Sequence, residues 1–471
     1  MYKLLSTEQL ERLHTTAMQI LESVGVRVTR EENLLIFKNH GALVDEKTRT
    51  VKISRHMVED ALRKVPHDIT LGARNKKHSL ALQPGHMFTR PSTGYNEVID
   101  VDSGLARSGS SKDTTMASQL IEDLENVSMN ATHVFPSDVS PHVKDIQSFR
   151  LALENCEKHV VTSPLSKDTL EFQHRISSVF EKECDSQPPI FSSLVCPIAP
   201  LQLRDEVTVF CAKHGIPAII VSGVAVGAAS PITLAGTLVL QSAESLATIT
   251  LMQIVSPGCS VILGNKTAPL DQRYLTPLSG VVEIGMLSAA CIQVAEFYGI
   301  PGEGFGLRTD SKTIDEQSGV ERILVGLLPA IAGARIDSGV GSIEAINTFS
   351  MEQLVIDDEI YGMIQRLLRG IDFDEETLAF KEIATVGIGG NFLGRQHTRK
   401  FYRKEFYQHK LFDKRIRKDW ETAGRKEIRE IARERVKKLI AEHRPVSELG
   451  ADAKDRIMKI LFEAESKVPP S

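Results

Sequence analysis

The chain has 471 residues, of which 42% are hydrophobic and 25% charged, and its formal net charge is −5. This length and composition fit a globular protein with a large core, built as two or three domains or as one large barrel with additions. The small net charge excludes an overall bias toward nucleic acid or anionic lipid. The six cysteines form no CxxC pair, which predicts reduced thiols and a cytoplasmic protein.

Residues 1–87 are predicted to form an N-terminal extension of helices and a β-hairpin. Apolar residues at helical spacing predict an amphipathic helix over residues 6–24. Polar residues interrupt its apolar positions, which argues against a signal peptide. A hairpin-like pair follows at 40–54, and a short helix follows at 55–66.

From residue 88 the chain alternates between short apolar runs and helical runs. The predicted strands are 88–93, 130–135, 159–163, 190–195, 217–222, 260–264, 299–305 and 333–338. The predicted helices include 143–155, 167–182, 231–255, 279–298 and 314–328. Eight such units predict an α/β protein with a (β/α)8 TIM barrel over residues 88–350. An open, doubly wound sheet is the structural alternative.

An uncharged stretch from Gly215 to Ala243 is long enough to span a bilayer. It divides into a β-branched run, a glycine-alanine loop and an apolar helix. The helix is predicted to start at Ser230-Pro231, with serine as N-cap and proline at the first helical position. A buried strand, a loop and a buried helix account for this stretch without a membrane span.

Residues 351–471 are predicted to form a C-terminal helical region, part of which is strongly basic. Residues 395–444 contain eighteen Lys or Arg against eight Asp or Glu, a net charge of +10. Basic residues mix with glutamate at helical spacing over 420–443, which predicts a solvated, salt-bridged outer helix. The alternative is a docking face for an acidic partner or for an acidic part of the same oligomer. No nucleic-acid recognition motif accompanies the charge.

The stretch PGEGFGLRTDSK, residues 301–312, ends the seventh predicted strand. Its G-x-G-x-G spacing is neither the G-x-G-x-x-G of a dinucleotide fold nor a P-loop. Barrels place their sites at the carboxyl ends of the strands. Glu303, Asp310 and Lys312 are therefore the candidate catalytic residues. The alternative is structural: Asp310 caps the next helix, and Glu303 pairs with an arginine.

The other strand ends carry mostly small, polar or aromatic residues: Tyr95, Thr132, His133, Ser192, Ser193, Cys196, Ser222, Gly223, Gly264, Asn265, Lys266 and Phe349. No His and carboxylate cluster has metal-ligand spacing, so no metal site is predicted. No G-x-S-x-G elbow is present. Cys196 is a candidate nucleophile, although a packing role is favoured. His133 is expected to be hydrogen-bonded in the barrel wall rather than to act as a base.

Aromatic side chains with one or two carboxylates suit a methylated ammonium ligand, because such a cation is attracted to ring faces and to carboxylate. The predicted substrate-binding residues are Tyr95, Phe305, Phe349 and Asn265, with the three aromatic residues forming a cage. Methyl transfer fits such a site, because the amine leaves neutral and needs no strong acid. The reaction requires a very strong nucleophile, which this sequence does not contain.

Four stretches resemble the trimethylamine methyltransferase (MttB-type) superfamily of corrinoid-dependent methyltransferases. They begin LHTTAMQILESVGVRV, HGIPAIIVSGVAVGAASP, YGIPGEGFGLRTDSKTIDEQSGVE and NFLGRQHTRKFYRKEF, and they occur in the family's order over nearly the whole chain. The resemblance implies a (β/α)8 barrel with the two terminal regions packed on it. It also implies methyl transfer from a methylated amine to the Co(I) of a separate, methyl-accepting corrinoid protein. The corrinoid (cobalamin) is expected on that partner, since this chain has no motif to bind it.

The sequence departs from the trimethylamine-specific members, which carry pyrrolysine in the barrel. This chain has none, and the stretch around Lys312 is the predicted equivalent position. The pyrrolysine-free members that it resembles use quaternary amines such as glycine betaine. The resemblance therefore implies a quaternary amine substrate, and we expect a homo-oligomer.

Two other functions stay open at this point. One is another small-molecule barrel enzyme, a lyase or hydrolase, for which Glu303 with Lys266 or Lys312 would supply the acid–base pair. The other is a non-catalytic protein that binds an onium ligand.

Overall fold

Eight parallel strands form the centre of the protein, whose computed structural model describes residues 3–186 and 188–468. Numbered β1 to β8, they are Phe88–Pro91, Asn130–Ala131, Val160–Thr162, Phe191–Val195, Ala218–Ser222, Val261–Asn265, Gly302–Phe305 and Ile336–Val340. Each strand from β2 onward pairs in parallel with the next, and β8 pairs with β1. The Met129 N–H donates to the Thr89 carbonyl at 3.0 Å, which joins β2 to β1 and closes the barrel.

In the part of the chain that the structure describes, sixteen α-helices lie around and beyond the barrel. Numbered α1 to α16, they are Thr7–Ser23, Glu31–Asn39, Arg55–Lys64, Ser111–Asp123, Lys144–Asn155, Lys167–Cys184, Asp205–Lys213, Leu234–Val255, Val282–Phe297, Glu316–Ala332, Met351–Leu368, Phe380–Val386, Gln396–Glu405, Arg417–Thr422, Ile428–Glu442 and Ala451–Lys467. One helix follows each barrel strand, from α4 after β1 to α11 after β8. The predicted (β/α)8 fold is confirmed, and the open-sheet alternative is excluded because β1 pairs with β8 on one side and is hydrogen-bonded to the start of β2 on the other.

The strands are apolar because both of their faces are buried. Inward-facing residues such as Val161, Ile219 and Ile262 fill the barrel interior. Outward-facing residues such as Val160 and Ile220 belong to the apolar cluster shared with the surrounding helices. Burial on both faces explains why the strands read as continuous apolar runs and not as alternating ones.

The N-terminal extension combines α1 to α3 with an antiparallel sheet of Val26–Arg27, Thr50–Lys52 and Leu43–Asp45. Its buried residues pack against α7 and α8. A short pair of strands, Thr70–Leu71 and Leu80–Ala81, places Leu71 and Leu80 in the same apolar cluster as the barrel interior. Further short strands lie in the loops after the barrel strands: Glu97–Ile99, Ala106–Ser108, Ala225–Val226, Ala268–Asp271, Thr276–Pro277, Ser342–Ile343 and Thr348–Ser350.

Among the described helices, α8 is the one that is long and apolar enough to cross a membrane. Its most apolar stretch of 18 residues is 83% buried inside the protein, as expected for a core helix. The predicted helix start at Ser230-Pro231 is wrong, because α8 begins at Leu234 with Thr233 at the N-cap position. The Ser230 hydroxyl instead pairs with the Thr237 hydroxyl at 2.9 Å, which links the chain before the helix to its first turn.

Helix α11 completes the eighth strand–helix unit. It begins at Met351, where the sequence places the start of a C-terminal region, and its Tyr361 hydroxyl donates to Asp337 of β8 at 2.7 Å. Farther along the chain, α15 packs against α11 and α16 packs against α6. The domain boundaries at residues 88 and 351 stay predictions.

The basic segment 395–444 forms ion pairs with acidic residues outside it. Four examples are Lys404–Asp372, Lys410–Glu125, Arg433–Glu352 and Lys437–Asp102, at 2.6 to 3.3 Å. Part of the charge is therefore balanced within the chain, as the salt-bridged interpretation expects. The segment 420–443 is largely helical, as predicted, but it is interrupted: α14 and α15 are separated at Gly424 and Arg425, which have positive φ.

Candidate active site

The carboxyl ends of the barrel strands surround a small cavity. Its lining residues are Arg90, Ser92, Thr93, Leu194, Val221, Asn265, Lys266, Glu303, Phe305, Arg308, Ser338 and Ile346. The space between these side chains has room for little more than a water molecule. Because several strands contribute and the loops after them close it, this cavity has the position of a barrel active site.

The alternation of residues in β7 decides which of them reach the cavity. Successive side chains of a strand point to opposite faces. A Cβ on Gly304 would lie 2.7 Å from the Asp337 carboxylate, and one on Gly306 would lie 2.2 Å from it. These glycines therefore allow β7 to pack closely on the outer layer, and they do not form a phosphate cradle. Glu303 and Phe305, between them, line the cavity.

Glu303 forms a buried ion pair with Arg90 of β1. The Arg90 Nη2 group donates to Glu303 Oε1, and Arg90 Nη1 donates to the Pro91 carbonyl at 2.8 Å. Both charged side chains are at most 4% exposed. Within residues 3–186 and 188–468, Glu303 Oε2 has no hydrogen-bond partner. A buried acceptor without a partner is destabilising, so this oxygen is available to a ligand.

Arg308 is a second buried arginine in the cavity wall. Its guanidinium lies 3.4 Å above the centroid of the Phe305 ring, and its Nη2 group donates to the Ser92 hydroxyl at 2.5 Å. Its Nε and Nη1 groups have no partner among the described residues. Burial lowers the pKa of Arg308 to about 10, so it is still cationic at neutral pH.

Asn265 ends β6 and contributes a further unused donor. Its Oδ1 accepts hydrogen bonds from the Thr267 N–H at 2.9 Å and from Gln241 Nε2 at 3.2 Å. These two bonds fix the amide orientation, which leaves its Nδ2 group without a partner in the described part of the chain. The cavity wall thus presents unpaired donors and one unpaired carboxylate oxygen.

The whole chain is similar to known methyltransferases. The model of the trimethylamine methyltransferase (MTTB) family matches residues 1–461. The chain belongs to the trimethylamine methyltransferase family. It is 34% identical to the trimethylamine methyltransferase MttB of Methanosarcina barkeri over 473 residues, which covers 98% of this chain and 95% of that protein.

A second relative in this family has a different named substrate. The glycine betaine methyltransferase of Desulfitobacterium hafniense is 30% identical over 451 residues, covering 94% of this chain and 93% of that protein. A solved dihydropteroate synthase from Coxiella burnetii matches 64% of this chain and 99% of its own, at 9% identity and a TM-score of 0.39. The family relationship makes the present protein an enzyme of the methyltransferase type.

The three aromatic residues of the predicted cage do not form one cluster in this family member. Phe305 lines the cavity, and one face of its ring is covered by Arg308. Tyr95 and Phe349 contact each other, with ring centroids 5.4 Å apart, and neither lines the cavity. Both are fully buried in the apolar cluster that includes residues of α4, α11 and α15. Both follow their barrel strands: Phe349 lies in the short strand Thr348–Ser350, and Tyr95 forms an isolated β-bridge with Val134.

Asp310 and Lys312 also lie outside the cavity lining. The Asp310 carboxylate accepts hydrogen bonds from the Ser279 and Gly280 N–H groups at 2.7 and 2.9 Å, which ties the loop after β7 to the segment before α9. Lys312 is exposed, and its amino group donates to the Asp310 carbonyl at 2.9 Å. The charge partner of Glu303 is Arg90, and neither Lys266 nor Lys312 pairs with it. The acid–base pair expected of a lyase or hydrolase is thus not formed.

Other candidate reactive groups are engaged in packing. Burial lowers the pKa of His133 to about 3, and the ring stacks on Phe349 with its Nδ1 accepting from the Val134 N–H. Cys196 is half-buried beside the apolar interior of the barrel. Among the described residues, no group of three His, Cys, Asp or Glu could hold a metal ion.

The two arginines of the site were not among the residues predicted from the sequence. Arg90 could have been found, because it lies two positions after the inward-facing Phe88 in β1. Arg308 could not have been found in this way. It follows β7 and comes after Leu307, whose positive φ of 41° ends the alternation of faces.

Replacing Asp337 by asparagine is expected to change how stability depends on pH. Burial raises the pKa of Asp337 from 3.8 to about 7, so the stability it contributes is present below pH 4 and is lost as pH rises through 7. From pH 5 to pH 8, the free energy of unfolding of Asp337→Asn should rise relative to wild type by roughly 2 kcal/mol. Urea unfolding at four pH values measures this difference.

The control for this experiment is Asp60→Asn on the exposed face of α3. The salt bridge with Lys64 lowers the pKa of Asp60, so this carboxylate does not titrate between pH 5 and pH 8. The difference in free energy of unfolding between Asp60→Asn and wild type should therefore not change with pH over that range. If the difference between Asp337→Asn and wild type is also independent of pH, the raised pKa of Asp337 is contradicted.

Proposed function

We propose that this enzyme transfers a methyl group from a quaternary or tertiary methylated amine, such as a betaine, to the Co(I) of a separate corrinoid protein. The observation that carries the proposal is the match over more than nine-tenths of the chain to both a trimethylamine and a glycine betaine methyltransferase. The two relatives share a methylated nitrogen in their named substrates. The corrinoid protein is the co-substrate, and Co(I) is the nucleophile that this chain lacks.

The barrel mouth supports this chemistry through Glu303. In the proposed step, the methyl carbon exchanges its bond to nitrogen for a bond to cobalt, and the electron pair of the broken bond stays on the nitrogen. The cationic nitrogen of a quaternary amine, or of a protonated tertiary amine, therefore becomes a neutral amine nitrogen, and no proton has to be transferred. Glu303 Oε2, buried and without a protein partner, would orient the cationic nitrogen beside the mouth. The absence of a base–nucleophile pair among the described cavity residues fits a reaction whose nucleophile arrives on a partner.

The first test is ligand binding. The melting temperature would be recorded with trimethylamine, glycine betaine, carnitine, proline betaine and choline, because a ligand of the folded state raises it by mass action. The second test follows the loss of Co(I) absorbance with millimolar, chemically reduced free cobalamin and each amine. We expect amine-dependent methylation of cobalt by wild type and by Cys196→Ser, whose thiol has no role in the proposal.

Two results would contradict the proposal. One is consumption of an amine without any corrinoid, which would indicate a lyase or hydrolase. The other is no cobalt methylation with any of the five amines above the rate without enzyme.

A further inference from the structure

Arg308 is an unusual feature of the cavity, because a fully buried cation has so few partners. It is 1% exposed, and in the described residues its only hydrogen bond is the one from Nη2 to the Ser92 hydroxyl. Buried N–H groups are nearly always paired, and an unpaired one destabilises the protein because it has lost its hydrogen bonds to water. The unpaired Nε and Nη1 groups therefore point to a ligand that supplies acceptors.

Among the residues that the structure describes, no carboxylate forms an ion pair with Arg308. Glu303 is paired with Arg90. The Asp337 carboxylate accepts from the Tyr361 hydroxyl at 2.7 Å and from the Ser338 N–H at 3.1 Å, in the outer layer behind β8. A buried guanidinium is normally compensated by a carboxylate or phosphate, so the missing anion is expected to come with the ligand.

The charge of the whole cavity lining agrees with this expectation. Arg90, Lys266 and Arg308 are three cations against the single carboxylate of Glu303. A simple ammonium ion that entered this cavity would meet a net positive wall, which is unfavourable in a site with little water. A ligand with both a methylated nitrogen and a negative group would match Glu303 with one end and Arg308 with the other.

We propose that the substrate of this site is a zwitterion, and that the unpaired N–H groups of Arg308 bind its carboxylate. This inference rests on the proposed methyl transfer and specifies its substrate class: a methylated ammonium group joined by a short chain to a carboxylate. Glu303 Oε2 and Arg308 then hold the two ends of one molecule. Glu303 is the one carboxylate of the cavity lining, so it is the principal partner of the cationic nitrogen.

Substrate entry requires a side chain to move, because the cavity has little free space. Arg308 is held by one hydrogen bond and a ring contact, whereas Arg90 is held by an ion pair and a backbone hydrogen bond. Arg308 is therefore the cation that moves at lower cost. Its displacement would open space above Phe305 and bring the N–H groups to the carboxylate.

The test compares glycine betaine with its carboxamide, which has the same cationic group but no negative charge. Carnitine and its carboxamide form a second pair. One of the two pairs will contain the tighter-binding carboxylate. In that pair, wild type should prefer the carboxylate over the carboxamide by about 100-fold in affinity and in kcat/KM, as expected for a charge-assisted hydrogen bond. Arg308→Gln should lose about that factor in affinity and in kcat/KM for the carboxylate. For the carboxamide, both quantities should stay within about 3-fold of wild type. Arg456→Gln, at a surface ion pair on α16, is the control and should match wild type.

The outcomes separate this inference from the proposed methyl transfer, since binding is measured by calorimetry and transfer by Co(I) absorbance. Carboxylate binding that depends on Arg308 without any transfer would support the inference and contradict the proposed function. Methyl transfer with equal kcat/KM for the carboxylate and the carboxamide would support the proposed function and contradict the inference. An equal loss for both ligands in a folded Arg308→Gln would also overturn the inference. If Arg308→Gln does not fold, Arg308→Lys and the wild-type comparison decide, because neither requires removal of the charge.

Discussion

Replacing Arg322 by leucine is expected to lower the free energy of unfolding by about 3–5 kcal/mol, because it breaks a buried ion pair and leaves a buried charge. Arg322 of α10 is fully buried, and its Nη1 group lies 2.9 Å from Asp357 Oδ2 of α11. It also donates to the Leu307 carbonyl at 2.6 Å and to the Ser342 carbonyl. This one side chain therefore connects α10, α11 and the loops after β7 and β8.

The effect should depend on the charge that Arg322 leaves behind. Burial raises the pKa of Asp357 to about 6, and the Arg322 guanidinium opposes that rise. Without Arg322 the folded-state pKa rises further, so the loss of stability should be greater at pH 8 than at pH 5. Adding Asp357→Asn to Arg322→Leu should recover part of the stability at pH 8, because it removes the unpaired charge.

Urea unfolding of the single and double variants measures these differences. The control is Lys167→Ala, which breaks the exposed pair with Glu171 on α6 and should change stability by no more than about 0.5 kcal/mol. A loss below about 1 kcal/mol for Arg322→Leu would mean that the buried pair does not hold the barrel mouth.

The order of strands and helices could be predicted from the sequence because buried parallel strands leave a strong pattern. Each predicted strand of five to seven residues is followed by a helical run, and right-handed strand–helix–strand units leave few arrangements. The predicted ends of strands and helices were less accurate than their order where the backbone conformation of a single residue determines the end. The eighth strand was predicted at 333–338 but spans Ile336–Val340, because Gly333 ends α10 in the left-handed conformation.

The site could be predicted in part, and the difference follows from strand geometry. Glu303, Phe305 and Asn265 lie within strands, where position along the chain determines the face, and all three line the cavity. Tyr95 and Phe349 follow their strands, where position along the chain no longer determines the face. Their roles and those of Asp310 and Lys312 stay predictions, although none of these four lines the cavity.

Charge pairing over long sequence distances could not be derived from the sequence. Arg90 and Glu303 are 213 residues apart and meet only because β1 and β7 both border the same cavity. The unpaired state of Arg308 is a property of what surrounds it, and no sequence pattern encodes it. The feature on which the proposed substrate class rests is thus one that only the three-dimensional arrangement reveals.

Replacing Gly339 by alanine is expected to destabilise the protein by roughly 3 kcal/mol or more, through steric overlap and backbone strain. Gly339 lies at a register shift of β8 between Ser338 and Val340, and its φ is +128°. A Cβ there would lie 2.2 Å from the Gly306 carbonyl oxygen and 3.2 Å from Arg308 Cγ. The first contact is with backbone, so no rotamer change relieves it.

The matched control for Gly339→Ala is Gly319→Ala on the exposed face of α10. No heavy atom lies within 4 Å of the Cβ that would be added at Gly319, and alanine favours a helix by up to about 1 kcal/mol over glycine. The two substitutions add the same methyl group and should change the free energy of unfolding in opposite directions. Equal effects would contradict the close approach of β8 to the loop after β7. Because Arg308 is the second contact of the added methyl, folded Gly339→Ala should also bind betaine carboxylates more weakly than Gly319→Ala does.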